Sequence, residues 1–119
     1  MKRLERLERI EPPAVRCLMP SSRLTPAASR LVNSARVAHL ATADAAGQPH
    51  VIPICFVFDG ANFYSPIDEK PKRVTASKLK RLRNIRENPR VALVIDRYDE
   101  NWAELAYVLV TGRARLLAS

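Results

Sequence analysis

The sequence predicts a mainly β fold in which the helices are peripheral, and three observations carry that prediction. Residues Ala35 to Asp68, ARVAHLATADAAGQPHVIPICFVFDGANFYSPID, read as two β-hairpins in tandem. Val91–Ile95 and Ala103–Leu117 add two more strands; in the second, Tyr107, Leu109 and Thr111 alternate with Val108 and Val110. Gly47 and Gly60 stand inside the hairpin connections, where a positive φ costs glycine nothing.

The first hairpin strand is Ala35–Thr42, closed by the turn chemistry of Asp44-Ala-Ala-Gly47. The next run, His50–Phe58, is apolar on both alternating faces, with Ile52, Ile54, Phe56 and Phe58 on one and Val51, Cys55 and Val57 on the other. Such a strand is expected to be buried on both sides. Asp59-Gly60 then turns the chain into Asn62–Ser65. Pro53 interrupts the second strand and has no N–H for a ladder, so it belongs at an edge, a bulge or a break in pairing. It either curves the sheet or leaves a backbone surface against which a flat ligand lies.

Around this sheet the remaining elements follow in order. In MKRLERLERIE, Leu4, Leu7 and Ile10 fall at helical spacing, and Pro12-Pro13 ends the run. Residues 1–22 are therefore read as an arm and residues 23–119 as the domain. A helix starts with Thr25 as N-cap and Pro26 at the first helical position, and runs to about Ser34 with Leu31 and Val32 docking it. The segment IDEKPKRVTASKLKRLRNIRENPR forms a second helix with Val74, Leu79, Leu82 and Ile85 on one side. That leaves Lys78, Lys80, Arg81, Arg83 and Arg86 for other faces. Pro89 ends the helix near Asn88. Asp96–Asn101 is a polar turn, and Gly112 marks a candidate bulge in the last strand.

Composition narrows the function. A chain of 119 residues is one small domain, and its net charge of +8 favours an anionic partner: nucleic acid, acidic lipid or a phosphorylated cofactor. No apolar run reaches the roughly 20 residues of a membrane span, and the charged N-terminus lacks a secretory pattern. The expected location is cytoplasmic. Cys17 and Cys55 have neither the number nor the spacing of a disulfide framework or zinc site, and Cys55 is expected as a small core hydrophobe. His39 and His50 fall in adjacent strands and could form a cross-strand pair, but no third donor accompanies them and no metal is assigned. No nucleophilic triad, carboxylate pair or Gly-rich phosphate loop is present, which argues against a hydrolase or nucleotide kinase.

The strongest functional signal is the basic cluster from Lys70 to Arg83. Lys70-Pro71-Lys72-Arg73 leads into a helix whose first N–H groups and dipole already favour anions. Three cations there suit a phosphate, and Ser65 at the end of the preceding strand offers a hydroxyl. The alternative is a solvated basic helix face.

The order of motifs resembles a known family. ARVAHLATAD, AAG, QPHVIPICFV, FDG and ANFY, followed by a basic helix ending in RNI and NPRVALVID, is similar to the pyridoxamine-phosphate-oxidase-like split β-barrels. These bind flavin or deazaflavin cofactors. RYDENW and TGRARLL resemble the branch identified as probable F-420-dependent enzymes. The resemblance spans about Leu31 to Leu117. It implies an FMN-binding split β-barrel that here lacks its last helix and strand, either completed by a partner chain or truncated after Ser119. It implies a homodimer holding coenzyme F-420, with FMN as the alternative, and hydride transfer to a small unsaturated or carbonyl substrate.

The same resemblance nominates Lys72, Arg73 and Arg81 for the cofactor phosphate, with Lys70 in the same cluster. Lys80 competes with Arg81 because the helical register is ambiguous by one residue. Ile52, Pro53, Ile54 and Cys55 are nominated for the ring system. Trp102 is either core or interface, or part of a turn that reaches across a dimer to wall the partner's pocket. No protein acid or base is nominated. A non-catalytic flavin or tetrapyrrole binder is the rival reading. A basic nucleic-acid module is weaker, because Phe56, Phe58, Phe63 and Tyr64 read as strand residues and not as a stacking platform.

Overall fold

A computed structural model describes residues 14–18, 24–66 and 76–117. The first strand, β1 (Ala14–Leu18), precedes helix α1 (Pro26–Ser34). There follow β2 (Val37–Ala43), β3 (Pro49–Cys55), β4 (Val57–Phe58) and β5 (Asn62–Pro66). Helix α2 (Ala76–Glu87), β6 (Arg90–Arg97), a short 3-10 turn (Trp102–Glu104) and β7 (Ala106–Leu117) complete the described chain. All seven strands form one antiparallel sheet in the order β3-β2-β6-β7-β1-β5-β4, curled so that β3 comes against β5.

The local chemistry explains the turns and helix ends. Asp44 Oδ1 accepts from the N–H groups of Ala46 and Gln48, and Gly47 takes φ +90° between β2 and β3. Asp59 Oδ1 does the same for Ala61 and Asn62, with Gly60 at φ +98°. Thr25 caps α1 by accepting from Ala28 N–H through its hydroxyl, and Pro26 occupies the first turn. Helix α2 ends at Glu87, where the Asn88 N–H still reaches the Asn84 carbonyl before Pro89 stops the helical path.

The core lies inside the curl. Leu40 on β2, Phe63 on β5, and Leu93 and Ile95 on β6 are fully buried, joined by Leu31 and Val32 from α1 and Ile85 from α2. Burying each large side chain of this kind contributes about 1.5–3 kcal/mol. Phe63 is the hub of an aromatic cluster, its ring centroid 4.5 Å from that of Phe58 and 5.8 Å from that of Phe56.

Four expectations are corrected. The arm reading of 1–22 does not hold for Ala14–Leu18, which is hydrogen-bonded between β5 and β7; the expected helix over residues 1–11 lies outside the described residues. The run His50–Phe58 is not one strand buried on both faces but β3 and β4, broken at Phe56. β3 pairs only with β2, so it is an edge strand, as Pro53 requires, and Val51 and Cys55 are exposed on its outer side. Gly112 marks no bulge, because the β6–β7 register runs unbroken from Arg90↔Arg113 to Arg97↔Ala106. The last strand starts at Ala106, after the 3-10 turn, and β6 runs on to Arg97 through the first third of the expected polar turn. No helix among the described residues is long and apolar enough to cross a membrane.

Candidate functional site

Helix α2 packs on β2 and β7 and carries the most unusual side chain of the molecule. Arg81 is only 6% exposed, and its Nε is shielded from solvent without a hydrogen-bond partner. Burial holds the guanidinium below its usual pKa. At about 100° per residue, Arg81 lies about 40° from Ile85 around the helix, on the same inward side. The expectation that Arg81 belongs to an outward face is therefore wrong: the stripe of Leu82 and Ile85 is wide enough to take Arg81 in with it.

Two further side chains fix this helix on the sheet. Asn84, also fully buried, donates from Nδ2 to Thr42 Oγ1 on β2 at 3.0 Å. At the hairpin tip, Glu87 accepts from Ala45 N–H at 3.0 Å, and Lys80 lies 4.0 Å from Asp44. Lys80, Asn84 and Glu87 thus form one stripe against the β2–β3 hairpin, which leaves Arg81 as the inward cation. This separates the two neighbours: Lys80 is half-buried on the hairpin side, and Arg81 alone enters the interior. The expectation treated them as interchangeable because sequence does not fix a helix's rotation to within one residue.

The other nominated residues divide. Ile54 and Ser65 are buried, Ile52 is half-buried, and Pro53 and Cys55 are exposed. Cys55 is therefore not the core hydrophobe expected. β3 meets β5, which brings the strand of Ile52 and Ile54 near that of Ser65. Trp102 stands in the 3-10 turn and is 76% exposed, so it is not core. Lys70, Lys72 and Arg73 lie outside the described residues.

His39 and His50 are not a cross-strand pair, since His39 lies opposite Pro53 and His50 opposite Thr42. The Nδ1 of His50 is buried and unpartnered on the Thr42 side of the sheet. No cluster of three metal-ligating side chains occurs among the described residues. The sequence reading missed Asn84 and Thr42. Their signal was an amide one helical turn from a cation, on the side shared with Ile85.

Chemically, a buried guanidinium with an unsatisfied N–H could hold an anion. It is the residue type and geometry that bind phosphate most directly, and the missing partner costs about 1–3 kcal/mol until something accepts from it. The residues present fit a phosphorylated group on that ground.

Comparison with known proteins bears on what that group is. No curated protein matches the chain. Among solved structures, the fold is similar to that of HutZ, the heme storage protein from Vibrio cholerae, with a TM-score of 0.54 and 20% identity over 76% of this chain and 60% of that one. It is also similar to the conserved hypothetical protein Rv2991 from Mycobacterium tuberculosis, with a TM-score of 0.54 and 26% identity over 80% of this chain and 55% of that one. The chain thus spans between half and two-thirds of the length of these structures. The family described as pyridoxamine 5'-phosphate oxidase matches residues 24–119, from the start of α1 through β7 and beyond, and the chain belongs to that family.

Proposed function

We propose that this protein binds a phosphorylated flavin-type cofactor, coenzyme F-420 or alternatively FMN, and works as a homodimeric oxidoreductase. Its substrate is a small unsaturated or carbonyl compound. The observation that carries the reading is Arg81, a buried guanidinium with an unpartnered Nε, in a chain of this family. Arg81 would take a phosphate oxygen, with the Lys70, Lys72 and Arg73 segment supplying further cations and Ser65 a hydroxyl. Ile52 and Ile54 would offer apolar contact to a ring system, with the exposed Pro53 and Cys55 at its rim. Trp102, exposed in the single chain, is free to approach a partner's pocket. When bound, the cofactor supplies the two-electron hydride chemistry, and the protein supplies binding, orientation and exclusion of water.

The surplus of basic residues favours F-420 over FMN, because the F-420 tail is polyanionic. The test is fluorescence titration with F-420 and separately with FMN, using the natural chain, Arg81→Met and Lys72→Ala/Arg73→Ala. Saturable binding weakened by both variants supports the reading, and turnover with reduced F-420 establishes the reaction. A folded protein that binds neither cofactor overturns it. A second reading, a non-catalytic tetrapyrrole binder, is favoured by the shared fold of HutZ, described as a heme storage protein. A stoichiometric shift of the hemin absorption band with no F-420 or FMN binding would select it.

A further inference from the structure

Among the described residues, two buried side-chain nitrogens lack a hydrogen-bond partner, Arg81 Nε and His50 Nδ1. They stand on different elements but flank a single bond. His50 on β3 lies directly opposite Thr42 on β2, and strand alternation puts it on the inner face with Ile52 and Ile54. Side chains paired in this way have Cβ atoms about 4.5–5.5 Å apart. Thr42 Oγ1 accepts from Asn84 Nδ2 at 3.0 Å. Arg81 precedes Asn84 by three residues, a spacing that makes helical side chains neighbours with Cβ atoms about 5–6 Å apart. His50, Thr42, Asn84 and Arg81 therefore follow one another as a row of polar side chains, with an unused nitrogen at each end.

That row is rich in donors and poor in acceptors. A guanidinium never accepts, and the Thr42 hydroxyl, having accepted from Asn84, keeps its own proton for a further acceptor. Strands β2, β3, β5 and β7 carry no acidic residue, and Glu87 is the one carboxylate of α2. The carboxylates nearest to the row are committed at the hairpin tip. Glu87 accepts from Ala45 N–H, and Asp44 accepts from Ala46 and Gln48 N–H with Lys80 beside it. Among the described residues, no ion pair includes Arg81. A water bridging the two ends of the row would satisfy the hydrogen bonds but leave a cation that is 6% exposed without a counter-charge. An oxyanion, which only accepts, answers the charge and both donors together.

We infer that His50 is a second ligand of the anion held by Arg81. Its Nδ1–H donates to the same phosphate group that takes the Arg81 Nε–H, and the Asn84–Thr42 bond sets the spacing between the two donors. The imidazole is then the Nδ1-protonated form, neutral or cationic, whenever phosphate is bound. This inference rests on the anion reading of Arg81 in the proposed function, but not on which cofactor brings the phosphate.

Nitrogen-15 NMR on the full chain with labelled histidine tests it, with inorganic phosphate as the probe. The chain has two histidines, and His39, exposed and opposite Pro53, is the internal reference. Saturating phosphate is expected to move the His50 Nδ1 resonance into the range of a protonated, hydrogen-bonded nitrogen and to leave His39 unmoved. In Arg81→Met that change is expected to disappear. Calorimetric titration of variants separates the atom from the ring, since an asparagine amide reaches the position of Nδ1 and a glutamine amide that of Nε2. His50→Asn is expected to keep most of the phosphate affinity. His50→Gln and His50→Leu are each expected to lose about tenfold or more, as for one hydrogen bond to a charged group. Circular dichroism shows that each variant is folded, and the spectrum of the natural chain needs no variant.

A natural chain that takes up no phosphate overturns the inference. So does phosphate binding that leaves His50 Nδ1 unprotonated, the result a bridging water would give, or a folded His50→Asn chain that binds no better than His50→Leu. If phosphate engages His50 while neither F-420 nor FMN binds, the cofactor reading fails and this one stands. If a cofactor binds and His50 is unmoved, the proposed function stands and this one falls.

Discussion

Replacing Arg81 with methionine should make the free protein more stable and the cofactor-binding protein worse. Methionine keeps the unbranched stem and its flexible packing while removing the guanidinium. In the natural chain that group is 6% exposed, and burial lowers its pKa, so water returns little of the lost hydration. Its Nε has no acceptor. An orphaned buried donor costs about 1–3 kcal/mol, and its replacement by an apolar group of similar shape recovers much of that. With thermal denaturation shifting by about 4 °C per kcal/mol for a chain of this length, Tm should rise by about 4–12 °C. A lost charge-assisted hydrogen bond to phosphate is worth about 1.5–3 kcal/mol, so affinity for F-420 or FMN should fall by about ten- to a hundredfold or more. Scanning fluorimetry and urea unfolding read the first effect, and cofactor titration reads the second. If Arg81→Met is destabilised by 1 kcal/mol or more, the guanidinium is a structural anchor and the anion-site argument collapses.

Two smaller predictions concern how α2 and the first hairpin are held. A double-mutant cycle of Asn84→Ala and Thr42→Val should show each single change costing about 1–3 kcal/mol and a coupling near 1 kcal/mol by chemical denaturation; zero coupling would mean that the 3.0 Å contact contributes nothing. Asp44 is held below the usual carboxylate range chiefly by the Gln48 N–H; desolvation, the next-largest effect, opposes this, and the Ala46 N–H, Lys80 and the Gly47 N–H add to the lowering. Its folded pKa is the lower one, so its contribution is present above the unfolded carboxylate range of about pH 4 and is lost as pH falls through the folded value. Asp44→Asn should flatten the acid limb of the stability curve and leave its slope near neutral pH unchanged, and an NMR titration of the Asp44 carboxyl should give a midpoint below that of an unfolded peptide.

How much of this was legible in the sequence depended on whether the cause was local. The turns at Asp44–Gly47 and Asp59–Gly60, the Thr25 cap and the end of α2 before Pro89 all follow from backbone chemistry within four residues, and each stands where expected. β1 was missed because Ala14–Leu18 is a short strand whose pairing partners, β5 and β7, lie about 50 and 100 residues on in sequence; no local pattern encodes them. β3 was misjudged for a different reason. An apolar residue facing a core and one on the open side of an edge strand look the same in a sequence, so Val51 and Cys55 read as buried although the chain exposes them. Arg81 was nominated by the family resemblance, yet its inward orientation depends on Asn84 meeting Thr42, a contact between residues 42 positions apart.

The two groups that the free chain satisfies worst are the buried nitrogens of Arg81 and His50, and they lead to separable consequences. Whatever binds only the folded state stabilises it by mass action. A phosphorylated cofactor that accepts from Arg81 should therefore raise Tm with cofactor concentration at fixed protein, and Arg81→Met should abolish that rise. His50→Leu should reduce the rise without abolishing it, because the guanidinium still answers the charge, and His50→Asn should restore most of it. One phosphate group shared by both donors couples them, so the affinity losses of Arg81→Met and His50→Leu should not add. If they add, the two donors serve different groups of the ligand, and the single anion site divides in two. If His50→Leu alone abolishes the rise, the imidazole and not the guanidinium carries the binding, and Arg81 is left as a structural anchor.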